Sequence, residues 1–158
     1  MKLFKNKKDS DLYAPVTGKS IPLEKVKDKV FASKMMGEGV AFVFDGNEVY
    51  SPCDGVVTLV ANTLHAIGIK TNNGAEILIH IGLDAVALEG KGFEKLINQG
   101  DTVKKGTPLI RLDRNFLADQ NIDLTTPMIV TNGTEFTFVI ENLNTDVTVG
   151  QTKLITFN

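Results

Sequence analysis

The chain has 158 residues, 42% of them hydrophobic and 23% charged, which suits one globular domain around a single sizeable core. A formal net charge of -2 carries no nucleic-acid or membrane footprint spread over the surface, and no apolar run approaches the roughly 20 residues that span a bilayer. The single cysteine, Cys53, has no internal partner and the opening "MKLFKNKKDSD" lacks the apolar run of a secretory signal, so the sequence reads as cytoplasmic.

Residues 1–12 are rich in Lys and Asp without a sustained period and read as a flexible solvated tail, leaving 13–158 as the domain. Leu3 and Phe4 among Lys2, Lys5, Lys7 and Lys8 offer an alternative, a short basic turn touching an anionic lipid surface. From Ala14 onward short β-type runs are punctuated by Gly, Pro, Asn and Asp: "GVVTLVA", "HAIGIKT", "AEILIHI", "TPLIRL", "PMIVTN", "TEFTFVI" and "KLITF". This rhythm predicts an all-β fold. Two stretches read as short helices, "FEKLINQ" (Phe93 to Gln99) and "DRNFLADQN" (Asp113 to Asn121), the second with Asp113 as N-cap.

Two echoes run through the chain. "APVTG" at Ala14 recurs as "SPCDG" at Ser51, and "VKKGTPLI" from Val103 recurs as "VTVGQTKLI" from Val147. Two echoes in the same order predict a duplicated β unit whose halves close over one core. Other motif-like stretches lack the residues their chemistry needs. "TGKS" (Thr17 to Ser20) lacks the first glycine of a phosphate loop, since Tyr13 stands there, and Pro22 sits where its helix would begin. "NGT" at Asn132 reads as a turn, and Cys53 reads as a packed thiol with no histidine near it in sequence.

The chain's two histidines, His65 and His80, lie in strand-like runs joined by "TNNG", a hairpin signal. With Asn72-Asn73 as a two-residue loop, the histidines face each other with Cβ atoms about 4.5–5.5 Å apart. With Asn73-Gly74 as the loop, they become diagonal neighbours at about 7–8 Å. Both registers set Ile67, Ile69 and Leu78 on the shared face, whereas a three-residue loop would put the histidines on opposite faces. Apolar surroundings disfavour the charged form, and a histidine with a reference pKa of about 6.5 is already mostly neutral at pH 7. A carbonyl accepting from Nδ1–H would then leave the Nε2 lone pair outward, and Gly82, without a side chain, suits a close carbonyl.

Such a pair serves either of two chemistries. With Asp84 as a third ligand it could hold zinc, although no second histidine flanks His80 at i+2. Alternatively, one histidine carries a phosphoryl group while the other steadies its oxygens, a reaction that asks mainly for positioning and electrostatic stabilisation.

"GAEILIHIGLDAV", "NTLHAIGI" and "KGFEKLINQGDTVKKGTPLI" together resemble the glucose-type enzyme IIA of the bacterial phosphoenolpyruvate-dependent sugar phosphotransferase system, from about Tyr13 almost to the C-terminus. The resemblance implies an antiparallel β-sandwich of duplicated hybrid motif, a type-1 EIIA domain. It implies that His80 accepts a phosphoryl group on Nε2 from the carrier HPr and passes it to a cysteine of a IIB domain. His65 would stabilise the phosphoryl oxygens, Thr63 would orient His65, and the Gly82 carbonyl would fix the His80 tautomer. The partner-binding face would comprise Val30, Phe31, Met35, Met36, Leu78 and Val86, with Asp84 at its edge. No cofactor is required by the resemblance; a weak regulatory zinc between His65 and His80 is the one metal it leaves open. A chain running from Met1 to Asn158 would act as a free-standing monomeric carrier, meeting the membrane only through its IIB and IIC partners. Ala85, Leu64 and Lys29 depart from the family pattern, which bears on partner choice and on regulatory targets such as glycerol kinase or sugar permeases. Two alternatives come from other classes: a zinc-dependent hydrolase of the lysostaphin-like fold, and a regulatory binding module that takes no phosphoryl group.

Overall fold

The computed structural model describes residues 9–158, so the lipid-touching alternative at Leu3 and Phe4 lies outside the described residues. The chain is built almost wholly of short strands, beginning with β1 (Leu12–Tyr13), β2 (Gly18–Pro22) and β3 (Glu38–Phe44). Then follow β4 (Glu48–Tyr50), β5 (Gly55–Val60), β6 (Ala66–Thr71), β7 (Glu76–His80), β8 (Phe93–Lys95), β9 (Thr102–Val103) and β10 (Pro108–Leu112). The last four are β11 (Thr126–Val130), β12 (Phe138–Ile140), β13 (Asp146–Val147) and β14 (Lys153–Phe157). Among the described residues two short α-helices interrupt them, α1 (Lys29–Ala32) and α2 (Arg114–Asp119).

All pairings are antiparallel, and their order is a palindrome. One sheet runs β13-β2-β3-β11-β7-β6-β5-β9, flanked by the small sheets β1-β14-β12 and β4-β10-β8. The strands β4 to β10 thus form one complete copy of a unit, and β1 to β3 with β11 to β14 form the other, wrapped around it in sequence. The echoes mark this duplication. Gly18 pairs with Val147 in one copy as Gly55 pairs with Val103 in the other. The Gly150 N–H donates to Ala14 O at 3.0 Å as the Gly106 N–H donates to Ser51 O at 2.9 Å. The copies also bond to each other reciprocally: Tyr13 N–H to Pro52 O and Tyr50 N–H to Pro15 O, both 2.8 Å. Gly18↔Phe44 corresponds to Gly55↔Thr71, so Ala66 corresponds to Gly39 and the pair Ala66↔His80 to Gly39↔Ile129. The position of His80 in one half is taken by Ile129 in the other.

The main core lies between the sheets. It packs Phe42, Ile67, Ile69, Ile77, Ile79, Met128, Leu109 and Leu154, all fully or almost fully buried. Each such side chain contributes roughly 1.5–3 kcal/mol. A second, smaller cluster of Leu23, Val26, Phe31, Ala41, Leu83 and Ile129 covers the outer face of the long sheet, with Leu78 packed against it. It exists because residues 23–37, between β2 and β3, fold back across that face, while the corresponding connection between β5 and β6 is a tight turn.

Three sequence expectations shift here. Leu12, expected in the tail, is fully buried in β1, and Ser10 is buried too, so packing begins before Tyr13. Phe93 to Gln99 is not helical: β8 pairs with β10, Phe93 opposite Leu112, and the i, i+4 spacing of Phe93 and Ile97 serves burial in a strand and the turn after it. The β6–β7 loop has three residues, 72–74, because Ala66 pairs with His80 and the Thr71 N–H donates to Ala75 O at 2.9 Å. Ile67 and Ile69 therefore face the main core, opposite to Leu78 and His80. The helix expected from Asp113 is α2, with the Asp113 side chain accepting from the Phe116 N–H at 3.1 Å.

Candidate functional site

The site gathers at the end of β7 on the outer face of the long sheet. Alternation sends Ile77 and Ile79 inward and His80 outward, beside Leu78's row. His65 reaches the same place by another route. It precedes β6, just after a tight turn in which the Leu64 N–H bonds to Ala61 O at 2.8 Å and Leu64 takes the left-handed φ of 61°. That turn breaks the strand alternation, so the register that should have parted the histidines does not. The His65 carbonyl still accepts from the Ile81 N–H at 2.6 Å, tying the turn to the end of β7. The two imidazole centroids are 4.7 Å apart with planes at 80°, an edge-to-face contact.

Each ring is held at Nδ1. His80 Nδ1 is 2.9 Å from Gly82 O, and His65 Nδ1 is 2.6 Å from Thr63 Oγ1. Because a carbonyl only accepts, His80 Nδ1 carries the proton and Nε2 keeps its lone pair. Gly82 can present its carbonyl because its φ is 81° and because an added Cβ would come within 3.1 Å of Asp123 O. Burial pushes the His80 pKa below the ordinary histidine value, against the Gly82 hydrogen bond and the Asp28 carboxylate, which raise it. Burial and then the neighbouring His80 likewise lower His65, against hydrogen bonding at Thr63. Both shifts favour the neutral ring.

Phe31 walls the pair. Its ring lies 4.9 Å from the His80 ring at 56°. It is only 4% exposed, so the expectation of an accessible docking residue gives way to one packed behind the imidazole. The other apolar residues expected on that face divide. Val30, Met35, Met36 and Val86 are exposed, Met35 to 78% and Val86 to 57%, while Leu78 is half-buried in the outer cluster. Asp84 is exposed with φ of 59°, and Ala85 is fully buried, which turns a residue at that position inward. The sequence reading missed Asp28, whose side chain caps α1 beside Phe31; "DKVF", an N-cap residue before an apolar pair, was the available signal.

No group of three His, Cys, Asp or Glu able to hold a metal ion comes together among the described residues, so Asp84 does not complete a three-ligand zinc set. Cys53 is buried away from the histidines' face, and burial pushes its thiol up to about 12, which keeps it protonated. No helix among the described residues is long and apolar enough to cross a membrane.

Residues 10–136 match the family model of the phosphoenolpyruvate-dependent sugar phosphotransferase system, EIIA 1. The glucose permease IIA from Mycoplasma capricolum superposes with a TM-score of 0.85 at 34% identity, over 98% of this chain and 99% of that one. Helicobacter pylori Csd3 aligns with a TM-score of 0.43 at 12% identity, over 87% of this chain and 31% of that one, a likeness too slight to bear on function.

Proposed function

Because the chain belongs to the EIIA 1 family of the phosphoenolpyruvate-dependent sugar phosphotransferase system, we propose that it is a phosphocarrier relaying a phosphoryl group from phospho-HPr to a IIB domain. The observation that carries this reading is the pair of imidazoles 4.7 Å apart, with His80 held at Nδ1 by Gly82 O so that Nε2 is the free nucleophile.

In the proposed step, the His80 Nε2 lone pair attacks phosphorus. The donor's N–P bond breaks, its electron pair stays on the donor nitrogen, and the His80 Nδ1–H remains on Gly82 O. The phosphorylated ring is then cationic, next to the phosphoryl anion. His65 donates from Nε2 to a phosphoryl oxygen, which requires the Thr63 hydroxyl to donate to Nδ1. Onward transfer repeats the attack with a IIB cysteine thiolate. Positioning and electrostatic stabilisation, rather than strong acid–base catalysis, drive such a transfer.

The exposed apolar residues Val30, Met35, Met36 and Val86, with Asp84 and Asp28 near them, are the surface on which HPr and IIB dock in turn. A cytoplasmic monomer suits that role. Glucose-type sugars are the proposed cargo of the system, by likeness to the Mycoplasma capricolum protein. No cofactor is needed, and zinc bridging His65 and His80 to a partner carboxylate is a regulatory option outside the cycle. Incubation with phosphoenolpyruvate, enzyme I and HPr tests the reading: one added phosphoryl group per chain supports it, and none contradicts it.

A further inference from the structure

We propose that Asp28 is a positioning residue for His80: its side chain caps α1 and so keeps the Phe31 ring seated against the imidazole. The proposal deepens the phosphocarrier reading and rests on it for the kinetic consequence alone.

A helix of four residues does not persist by itself, because fixing the first turn costs more than its hydrogen bonds return. Its first N–H groups have no partner within the helix. Asp28 supplies one. From extended backbone (φ −153°, ψ 117°) its Oδ1 accepts from the Val30 N–H at 2.9 Å and from the Phe31 N–H at 3.4 Å. The second of these N–H groups belongs to the residue whose ring lies 4.9 Å from His80. One carboxylate therefore fixes the backbone of the residue that walls the nucleophile.

The wall has a task. Rotation about the histidine Cβ–Cγ bond is broad rather than confined to sharp wells, so the hydrogen bond to Gly82 alone leaves the imidazole plane loosely set. His65 closes one side at 80° and Phe31 another at 56°, and between them the Nε2 direction is limited. Phe31 is itself held by Leu23, Val26, Ala41, Leu83 and Ile129 in the outer cluster. The Asp28 charge acts on His80 as well, opposing the effect of burial.

The test separates the cap from the charge. Asp28→Ser keeps a capping oxygen without charge, Asp28→Ala removes both, and Phe31→Leu removes the ring. In the full-length, unphosphorylated protein, the His80 ring-proton shifts report the Phe31 ring current. They are expected to stay near wild type in Asp28→Ser and to move toward the Phe31→Leu values in Asp28→Ala. Single-turnover acceptance from phospho-HPr is expected to be slower in Asp28→Ala than in Asp28→Ser by up to about fivefold, the most that the stability of one lost cap can contribute. Equal His80 shifts and equal rates in the Ala and Ser variants would overturn the proposal. If wild type accepts no phosphoryl group, the phosphocarrier reading fails, and the ring shifts still decide the link from Asp28 through Phe31 to His80.

Discussion

His80 Nδ1 lies 2.9 Å from the carbonyl oxygen of Gly82, two residues further along the chain. This contact sets the chemistry of the site, because the oxygen can only accept and so assigns the proton to Nδ1 and the lone pair to Nε2. Nitrogen-15 NMR of the imidazole at pH 7.5 or above should find the Nδ1–H tautomer dominant for His80. An Nε2–H tautomer would remove the nucleophile.

Gly82→Ala attacks the same contact from the backbone. At φ 81° a Cβ costs about 1–2 kcal/mol, and the nearby Asp123 carbonyl adds to it. Denaturant unfolding should show a loss of that size, with slower phosphoryl acceptance because the carbonyl moves. Wild-type stability and rate together would mean that the position is not constrained.

Thr63→Val keeps the β-branched shape and removes the hydroxyl that lies 2.6 Å from His65 Nδ1. Acceptance by His80 should change little, whereas onward transfer to a IIB domain should fall by up to about tenfold, the worth of one oriented hydrogen bond. Rapid-quench measurement of the two half-reactions distinguishes them. Equal losses in both would place Thr63 in the fold rather than in the second transfer.

Stability should depend on pH in a direction fixed by the histidines. Both have folded pKa values below the ordinary 6.5, chiefly through burial, so the unfolded chain binds protons first as pH falls. The stabilisation is whole above about pH 6.5 and declines as pH drops through the lowered folded values. Urea unfolding between pH 7.5 and 5 should show this decline, and it should shrink in His80→Gln. The neutral nucleophile should also persist below pH 6.5, so the acceptance rate should hold to more acidic pH than a free histidine allows.

The duplicated architecture predicts matched costs. A Cβ on Gly18 would run into the Val43 carbonyl oxygen, and one on Gly55 would run into the equivalent Lys70 carbonyl oxygen. Gly18→Ala and Gly55→Ala should each destabilise by about 1–3 kcal/mol, the usual range for overpacking. Thermal unfolding that found one neutral and the other severe would break the equivalence of the halves.

The sequence carried much of this. "APVTG" with "SPCDG" and the two V-x-x-G echoes located the paired edges of the halves, because tight turns and close backbone approach restrict residue choice where side-chain packing does not. The meeting of His65 and His80 was legible too, but through the wrong geometry. The hairpin loop has three residues, and the left-handed turn at Leu64 undoes the separation that this register imposes. Nothing in the residue type at position 64 signals a positive φ. The strand at Phe93 was hidden because three residues of β structure are set by pairing with β10 rather than by their own pattern. Phe31 was recognised as part of an apolar face, yet its burial depends on how residues 23–37 fold over a sheet assembled from distant strands.

Whether His80 is the phosphoryl acceptor is read by phosphorylating His80→Ala and His65→Gln beside wild type. After incubation with phosphoenolpyruvate, enzyme I and HPr, intact-mass measurement should show one added phosphoryl group on wild type and on His65→Gln. His80→Ala should carry none, and only wild type should pass the group efficiently to a IIB domain. Normal phosphorylation of His80→Ala would place the acceptor at another residue.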